Sequence, residues 1–283
     1  MADFAILQRF GELLNSGYFP SVGSWVQVDP ANGLSTIVNA FNTLGNQSME
    51  LFMFDQLGNR VGTDVTLQVA TGKAQRFDLE TLIPAASLPF EGSLWLWCRG
   101  DTAEGNIGLQ AIDLDFTDRN RADGYVLGTV HLLFDFINTL GIPPYLDLVS
   151  PRIMVDETPE GAPRYQNFLG MAHTPVSAGD LSGGDIVLTI SNEDGETLTS
   201  APIALPLLGS WYGDLGVLFP ELPDFLPPTG SRRGYGVLGI REQAARQVGL
   251  CAMVKVVDRV SGALAVDHCN DRSFARPAMK DPV

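Results

Sequence analysis

Apolar and polar residues alternate over short stretches in most of the chain, and a period of two predicts β-strands. In the run from Val61 to Val69, valine and leucine share one face, while threonine and glutamine lie on the other. The turn Asp55-Gln56-Leu57-Gly58-Asn59 precedes this run and follows an apolar stretch, which predicts a hairpin. Comparable turn signals recur at short intervals, so we expect many short antiparallel strands.

The first residues follow a different period. Phe4, Leu7, Phe10 and Leu14 recur three or four positions apart, and Gly17 follows them. This spacing predicts a short amphipathic helix within residues 1–17 that ends at the glycine. Two interpretations stay open at this point: the helix caps one end of a sandwich, or it docks on another subunit.

The chain also repeats itself. The stretch Asp78-Leu79-Glu80-Thr81-Leu82-Ile83-Pro84 returns 136 residues later as Asp214-Leu215-Gly216-Val217-Leu218-Phe219-Pro220, with Asp, two Leu and Pro in the same places. Further matches, between Gly58 and Gly195 and between 105–112 and 246–253, keep the same order. These correspondences predict two tandem copies of one fold, with extra residues of the second copy in the loop 221–233.

Length and pattern together predict the architecture. A chain of 283 residues exceeds the size at which a single core grows comfortably, and the repeat favours two domains. We therefore predict an all-β protein with two tandem homologous antiparallel β-sandwich domains of the immunoglobulin or jelly-roll kind. The predicted limits are 1–17 for the helix, 18–140 and 150–275 for the sandwiches, and 276–283 for an unpacked tail. The stiff Gly141-Ile142-Pro143-Pro144 segment marks the predicted boundary.

Charge and cysteine content narrow the function classes. A formal net charge of −15 repels phosphate backbones and anionic lipid, so nucleic acid is not an expected partner. Cys98, Cys251 and Cys269 are an odd number without C-x-x-C spacing, which argues against a disulfide framework or a zinc knuckle. Neither a signal peptide nor a membrane-spanning run is recognisable. We expect a cytoplasmic protein without a cofactor and without a membrane span.

The densest group of metal-ligand residue types lies near the C-terminus, in Asp267-His268-Cys269-Asn270-Asp271. Asp267, His268 and Asp271 are weak candidates for metal ligands. Alternate residues of a strand point to opposite faces, however, so all five side chains cannot reach one ion. Since His131 falls 137 residues before His268, a repeated structural histidine is the alternative explanation.

The aromatic residues suggest a ligand-binding role. Tryptophan and tyrosine rings stack well on the apolar faces of sugars, and Trp25, Trp211 and Tyr212 lie in predicted strands. We take these three residues and His173 as the candidate ligand-binding residues. Trp95 and Trp97 lie two positions apart on one strand face, a pattern more typical of a core than of a binding platform.

The hairpin from Leu51 to Gly62, followed by Phe77-Asp78-Leu79, resembles the small cytoplasmic β-sandwich of the sensory-rhodopsin transducer family. The resemblance covers about forty residues in each half of the chain, in line with the modest length of a hairpin and its neighbours. It implies oligomeric signalling and binding of a small ligand, without catalysis. It identifies no functional residue.

These observations favour a non-enzymatic binding or interaction protein, with carbohydrate, a small ligand, another protein or a second copy of itself as partner. The alternative is a hydrolase with its site in an end-loop cleft. We expect a homo-oligomer, with Phe225 and Leu226 of the longer second loop at the contact between copies. A loop folded back over its own sandwich is the other interpretation of these two residues.

Overall fold

The computed structural model describes residues 4–42, 46–100, 111–118, 125–131, 147–173, 183–227, 233–243 and 250–271. Its helices are α1 (Phe4–Asn15), α2 (Leu79–Leu82), α3 (Leu215–Leu218) and α4 (Leu222–Phe225), and Pro30–Asn32 and Ala85–Ser87 form short 3₁₀ turns. The strands before residue 140 are β1 (Phe19–Val28), β2 (Leu34–Asn42), β3 (Gln47–Asp55), β4 (Arg60–Val69), β5 (Lys73–Asp78), β6 (Phe90–Gly100), β7 (Ala111–Asp118) and β8 (Tyr125–His131). The later strands are β9 (Asp147–Val155), β10 (Tyr165–His173), β11 (Gly184–Ser191), β12 (Thr197–Thr199), β13 (Ile203–Leu205), β14 (Ser210–Asp214), β15 (Gly234–Glu242), β16 (Leu250–Asp258), β17 (Leu264–His268) and β18 (Asn270–Asp271).

The strands of the described residues form four antiparallel sheets. Sheet A has the order β1-β6-β3-β4 and sheet B the order β5-β2-β7-β8; together they form the first sandwich. Sheet C has the order β12-β11-β15-β9-β18, with β13 also paired to β11, and sheet D has the order β14-β10-β16-β17. Sheets C and D form the second sandwich. The predicted all-β fold with antiparallel sandwich layers is confirmed.

The two sandwiches share one topology. Sheet A matches sheet C when β9, β15 and β11 replace β1, β6 and β3 and when β12 with β13 replaces β4. Sheet C has β18 as an additional edge strand beside β9. Sheet B becomes sheet D in the same way, strand for strand. The repeated sequence motif caps a short helix in both copies, since Asp78 Oδ1 accepts from Glu80 N at 3.1 Å and Asp214 Oδ1 from Gly216 N at 2.8 Å. The next residue, Leu79 or Leu215, is the first residue of each helix, and its side chain is fully buried.

Each sandwich has its own core, and the first core extends into the second sandwich. Inward residues such as Leu51 and Leu96 of sheet A meet Leu114 of sheet B. The same cluster takes in Met253 and Val266 from sheet D. Sheet D is therefore buried on both faces, one against sheet C and the other against the first sandwich.

Helix α1 packs on the outer face of sheet A of its own chain. Phe10 stacks on Trp97 at 4.8 Å and on Trp95 at 5.8 Å between ring centroids. It also meets Phe52 edge-on at 5.3 Å. Trp95 and Trp97 are thus buried beneath the helix, as their strand pattern predicted, and α1 covers a sheet face rather than the end of a sandwich.

Of the helices in the described part of the chain, none is long and apolar enough to cross a membrane. The predicted boundary 141–144 and the predicted tail 276–283 lie outside the described residues, so the domain limits stay a prediction.

Candidate functional site

The predicted ligand-binding aromatic residues lie at the contact between the two sandwiches. Trp25 of β1 stacks on Tyr212 of β14 at 5.0 Å between ring centroids, with 6° between the ring planes. Phe116 continues the stack on the other side of Trp25 at 5.9 Å, and Phe168 continues it beyond Tyr212 at 5.5 Å. Four nearly parallel rings, two from each sandwich, thus form one row across the interface.

Backbone and charged groups close in around this row. A Cβ at Gly170 would collide with three atoms of the Trp25 indole ring, so the ring lies directly on the β10 backbone. Lys255 Nζ lies 5.6 Å from the Phe168 ring centroid and 5.8 Å from that of Tyr212. It also donates to Gln27 Oε1 of the first sandwich at 3.3 Å. The interface therefore combines ring stacking with a cation–π contact.

Glu91 adds a carboxylate at the same place. Burial raises its pKa above the ordinary value, while the hydrogen bond from Gln56 Nε2, at 2.9 Å, and the charge of Lys255 partly offset that rise. Burial likewise raises the pKa of Tyr212, and the charges of Glu91 and Asp214 add to the rise.

The structure separates the four predicted ligand-binding residues. Trp25 is 1% exposed and His173 is fully buried, whereas Trp211 and Tyr212 are half-buried. A ligand would reach Trp25 or His173 only if the sandwiches moved apart. Trp211 packs against the second core rather than on the aromatic row. Ligand binding by these four residues stays a prediction.

A second contact joins the sandwiches at the hairpin turn 55–59. Gln56 O accepts from Ser210 N at 3.3 Å, and Ser93 Oγ donates to Leu208 O at 2.5 Å. A Cβ at Gly58 would collide with the Leu207 carbonyl. The loop 206–209 of the second sandwich is therefore seated on the hairpin end of the first.

His173 and Leu208 shape that loop. His173 N donates to Gly209 O at 2.9 Å, and Leu208 N donates to His173 Nδ1 at 3.4 Å. Leu208 has a φ of 61°, a left-handed conformation that is unusual for leucine, and its side chain is fully buried. It packs with Phe10 and Trp97 beneath α1. Sequence reasoning missed this role of His173, because its partners lie more than thirty residues away along the chain.

The equivalent hairpin turn of the second sandwich, 192–196, has the same construction. Asp55 Oδ1 accepts from Leu57 N at 2.9 Å and Asn59 N at 2.8 Å. Asn192 Oδ1 accepts from Asp194 N at 3.1 Å and Glu196 N at 2.9 Å. The turn glycines match too, with φ of 80° at Gly58 and 82° at Gly195. Yet Gly58 is buried, whereas Gly195 is exposed and a Cβ there would meet nothing within 4 Å.

The open hairpin end of the second sandwich borders a cleft of about 300 Å³, which we call the end cleft. One wall is the hairpin turn, and the other is α4 with the residues that follow it. Among the described residues, its lining carries four carboxylates, one guanidinium and one exposed ring: Glu193, Asp194, Glu196, Asp224, Arg233 and Tyr235. Sequence reasoning placed no ligand here, although the acidic turn Asn192-Glu193-Asp194-Gly195-Glu196 and the longer loop of the second copy were visible signals.

Two residues of the end cleft were predicted to contact a second copy. Leu226 is 2% exposed and belongs to the second core, and Phe225 is half-buried against that core. The segment is therefore folded back over its own sandwich, the alternative that the sequence left open. Whether it also contacts another copy stays a prediction.

The candidate metal ligands occupy strands of different sheets. Asp267 and His268 lie on β17 of sheet D, and Asp271 lies on β18 of sheet C. Their side chains are outside what the structure describes, so metal binding there stays a prediction. Among the described residues, no group of three His, Cys, Asp or Glu is arranged to hold a metal ion.

All three cysteines are buried thiols. Burial raises the pKa of Cys251 to about 12, although hydrogen bonds to Ser24 and the Trp25 backbone lower it somewhat. A thiol in this state is a poor nucleophile at neutral pH, because the thiolate is the reactive form.

No protein-family model matches this chain, and no curated protein matches it. Three solved structures show a distant likeness over 87% of it. They are β-glucuronidase 2 of Bacteroides uniformis covalently bound to cyclophellitol-6-carboxylate aziridine (13% identity, TM-score 0.20), a glycosyl hydrolase family 2 member of Bacteroides cellulosilyticus DSM 14838 (8%, 0.20) and a β-glucuronidase of glycoside hydrolase family 2 (11%, 0.16). The chain spans 25%, 27% and 23% of their respective lengths. TM-scores this low do not establish a shared fold.

Proposed function

We propose that this protein is a non-enzymatic interaction protein and that the end cleft of its second sandwich is the recognition surface. One observation carries the proposal. The hairpin end of the first sandwich receives a loop, 206–209, whereas at the equivalent hairpin end of the second sandwich no described residue lies within 4 Å of a Cβ placed at Gly195. A surface that binds a loop in one copy of a fold is a natural place for recognition in the other.

The charge of the end cleft indicates what kind of group it recognises. Of the residues that the structure describes, four carboxylates and one guanidinium line it, and Arg233 is held over the ring of Tyr165 at 5.1 Å. Exposed opposite charges attract a partner over about 8–10 Å at moderate salt. A basic loop or peptide segment is therefore the favoured partner, and binding should weaken as salt rises.

A second candidate function, carbohydrate binding, is supported by Tyr235. Its ring is 43% exposed at the mouth of the cleft, beside carboxylates that can accept hydrogen bonds from sugar hydroxyl groups. In this case the ligand would stack on Tyr235 rather than on the aromatic row between the sandwiches.

Calorimetric titration tests the proposal with a short oligolysine peptide as probe and oligoglutamate as the opposite charge. We expect oligolysine to bind at low salt, and the double variant Glu193→Gln, Asp194→Asn to bind it several-fold more weakly. Glu160→Gln removes an exposed carboxylate elsewhere in the second half of the chain and serves as the matched control. Equal binding by the cleft variant and the control would refute the proposal.

A glycan array and a panel of ester and glycoside substrates complete the test. Glycan binding that Tyr235→Ala abolishes would favour the second candidate. Turnover of any substrate would establish an enzyme, as the hydrolase alternative requires, and would reject the non-enzymatic role.

A further inference from the structure

We propose that the partner in the end cleft is a second copy of this chain, docked head to tail through the segment 70–73 of its first sandwich, which is the loop after β4 and the first residue of β5. This inference rests on the proposed function, because it names the partner of the same cleft. It follows from comparing the two copies of the fold surface by surface.

The internal interface joins two kinds of surface. One is the hairpin end of the first sandwich, 55–59, and the other is the loop 206–209 of the second. Because the fold is repeated, each sandwich carries both kinds. One surface of each kind is used inside the chain, which leaves the hairpin end 192–196 and the loop 70–73 for another copy.

The loops 70–73 and 206–209 are structurally equivalent. Each connects the strand after the hairpin to an edge strand of the other sheet, β4 to β5 and β13 to β14. Each also contains one residue with a left-handed backbone, Gly72 with φ 70° and Leu208 with φ 61°, exactly one repeat of 136 residues apart. A Cβ at Gly72 would meet nothing within 4 Å, so this loop is open.

The charges of the two open surfaces are complementary. The segment 70–76 carries Lys73 and Arg76 and no acidic residue, and both side chains are exposed. Arg76 lies 136 residues before Tyr212, which stacks on Trp25 in the internal interface. Its partner Asp115, at 3.5 Å, leaves the Arg76 side chain 62% exposed. Lys73 corresponds to Gly209, which packs against Gln56 of the hairpin turn, and is therefore placed to face the carboxylates of the end cleft, such as Glu193. Arg76 takes the position of Tyr212, which faces β1 and not the hairpin turn.

The contact between copies should be weaker than the internal one. Within the chain, the buried Leu208 fills an apolar site formed by α1 and the outer face of sheet A. Between copies, Gly72 takes its place, and the corresponding outer positions of sheet C include Thr189 and Arg241. The contact between copies thus depends on charge, so added salt should dissociate the copies while leaving the internal interface intact.

Such a contact is heterologous, because it joins two different surfaces. Heterologous contacts build rings when the rotation closes and open chains when it does not, in contrast to a two-fold dimer. The average mass of the wild-type protein should therefore rise beyond that of a dimer as concentration increases.

Sedimentation velocity on the full chain, at low and high salt, tests this. Lys73→Glu blocks the loop, and the double variant Glu193→Lys, Asp194→Lys blocks the cleft. Each alone should raise the apparent dissociation constant at least several-fold. Arg259→Glu reverses an exposed charge at the β16–β17 turn and should associate like the wild type. An equimolar mixture of the loop variant and the cleft variant should associate again, because each supplies the surface that the other lacks.

Any one of four results would overturn the proposal. The wild type could stay at 30.5 kDa at every protein and salt concentration, or its mass could stop rising at the dimer. The mixture of variants could stay monomeric, or Lys73→Glu could associate as well as Arg259→Glu does. The oligolysine titration separates this failure from that of the proposed function. If the cleft binds oligolysine while the chain stays monomeric, the cleft recognises a basic partner other than this chain.

Discussion

The two turn glycines, Gly58 and Gly195, allow the contact between the sandwiches to be measured against an internal control. Both have left-handed backbones, with φ of 80° and 82°, so replacement by alanine imposes the same backbone strain, about 1 kcal/mol. Gly195→Ala adds its methyl group to open space, whereas Gly58→Ala places it against the Leu207 carbonyl. The difference between the two variants therefore isolates the seating of the loop 206–209.

The difference in free energy of unfolding between the two variants can be estimated from the contacts that the loop 206–209 would lose. Lifting it breaks the hydrogen bonds of Gln56 with Ser210 and of Ser93 with Leu208, each contributing about 0.5–1.5 kcal/mol. It also exposes part of the buried Leu208 side chain, whose full burial contributes about 1.5–3 kcal/mol. We expect Gly58→Ala to lower the free energy of unfolding by about 2–4 kcal/mol more than Gly195→Ala does.

Urea denaturation followed by far-ultraviolet circular dichroism measures both variants. If they lose the same free energy of unfolding, the loop is not held by the hairpin turn, and the description of this contact is wrong. A third variant, Leu208→Gly, relieves the left-handed strain but removes the buried side chain, so we expect a net destabilisation of about 2 kcal/mol.

Three further predictions concern other buried contacts of the two sandwiches. Trp25→Ala should lower the free energy of unfolding by about 3–5 kcal/mol, because the ring is 1% exposed and stacked on both sides. Tyr212→Phe keeps the ring stack and should change the free energy of unfolding by less than about 1 kcal/mol. Urea denaturation of the two variants checks this. Glu91→Gln should raise the thermal midpoint at neutral pH, because burial disfavours the charged carboxylate in the folded state and so raises its pKa. The gain should fade as the pH drops to the ordinary pKa range of glutamate, where Glu91 is protonated in both states. Calorimetry across pH checks this, and a gain that grew on acidification would contradict it. Phe10→Ala should release α1 and expose Arg9 to trypsin, while Gln8→Ala, on the exposed face of the helix, should not.

Local patterns in the sequence predicted the elements of this fold well. The alternation from Val61 to Val69 corresponds to β4, Arg60–Val69. The repeated Asp-Leu motif was recognisable because both of its parts have a local role, the aspartate as the cap of a short helix and the leucine as its buried first residue. Interactions between residues that are close in sequence can be recognised from a short stretch of the chain alone.

The surroundings of the same residues could not be predicted in this way. A period of two shows that Trp25 points to one side of its strand, but it does not show what covers that side. The cover comes from Gly170 and Tyr212, more than a hundred residues later. For this reason the aromatic residues suggested an open ligand platform, and the end cleft, which depends on two loops meeting in space, was missed.

In the described part of the chain, a helix covers the outer face of the first sandwich and none covers that of the second, and the differences between the two copies explain this. Strand register makes Phe52 and Trp95 of sheet A equivalent to Thr189 and Gly239 of sheet C. Large aromatic residues on an outer face would expose apolar surface, so they require a cover, and α1 with Leu208 supplies it. A threonine and a glycine require none. Helix α1 and the loop 206–209 therefore cover the same apolar face of sheet A. The proposed assembly of this chain would use the second hairpin end, where no described residue lies within 4 Å of a Cβ placed at Gly195.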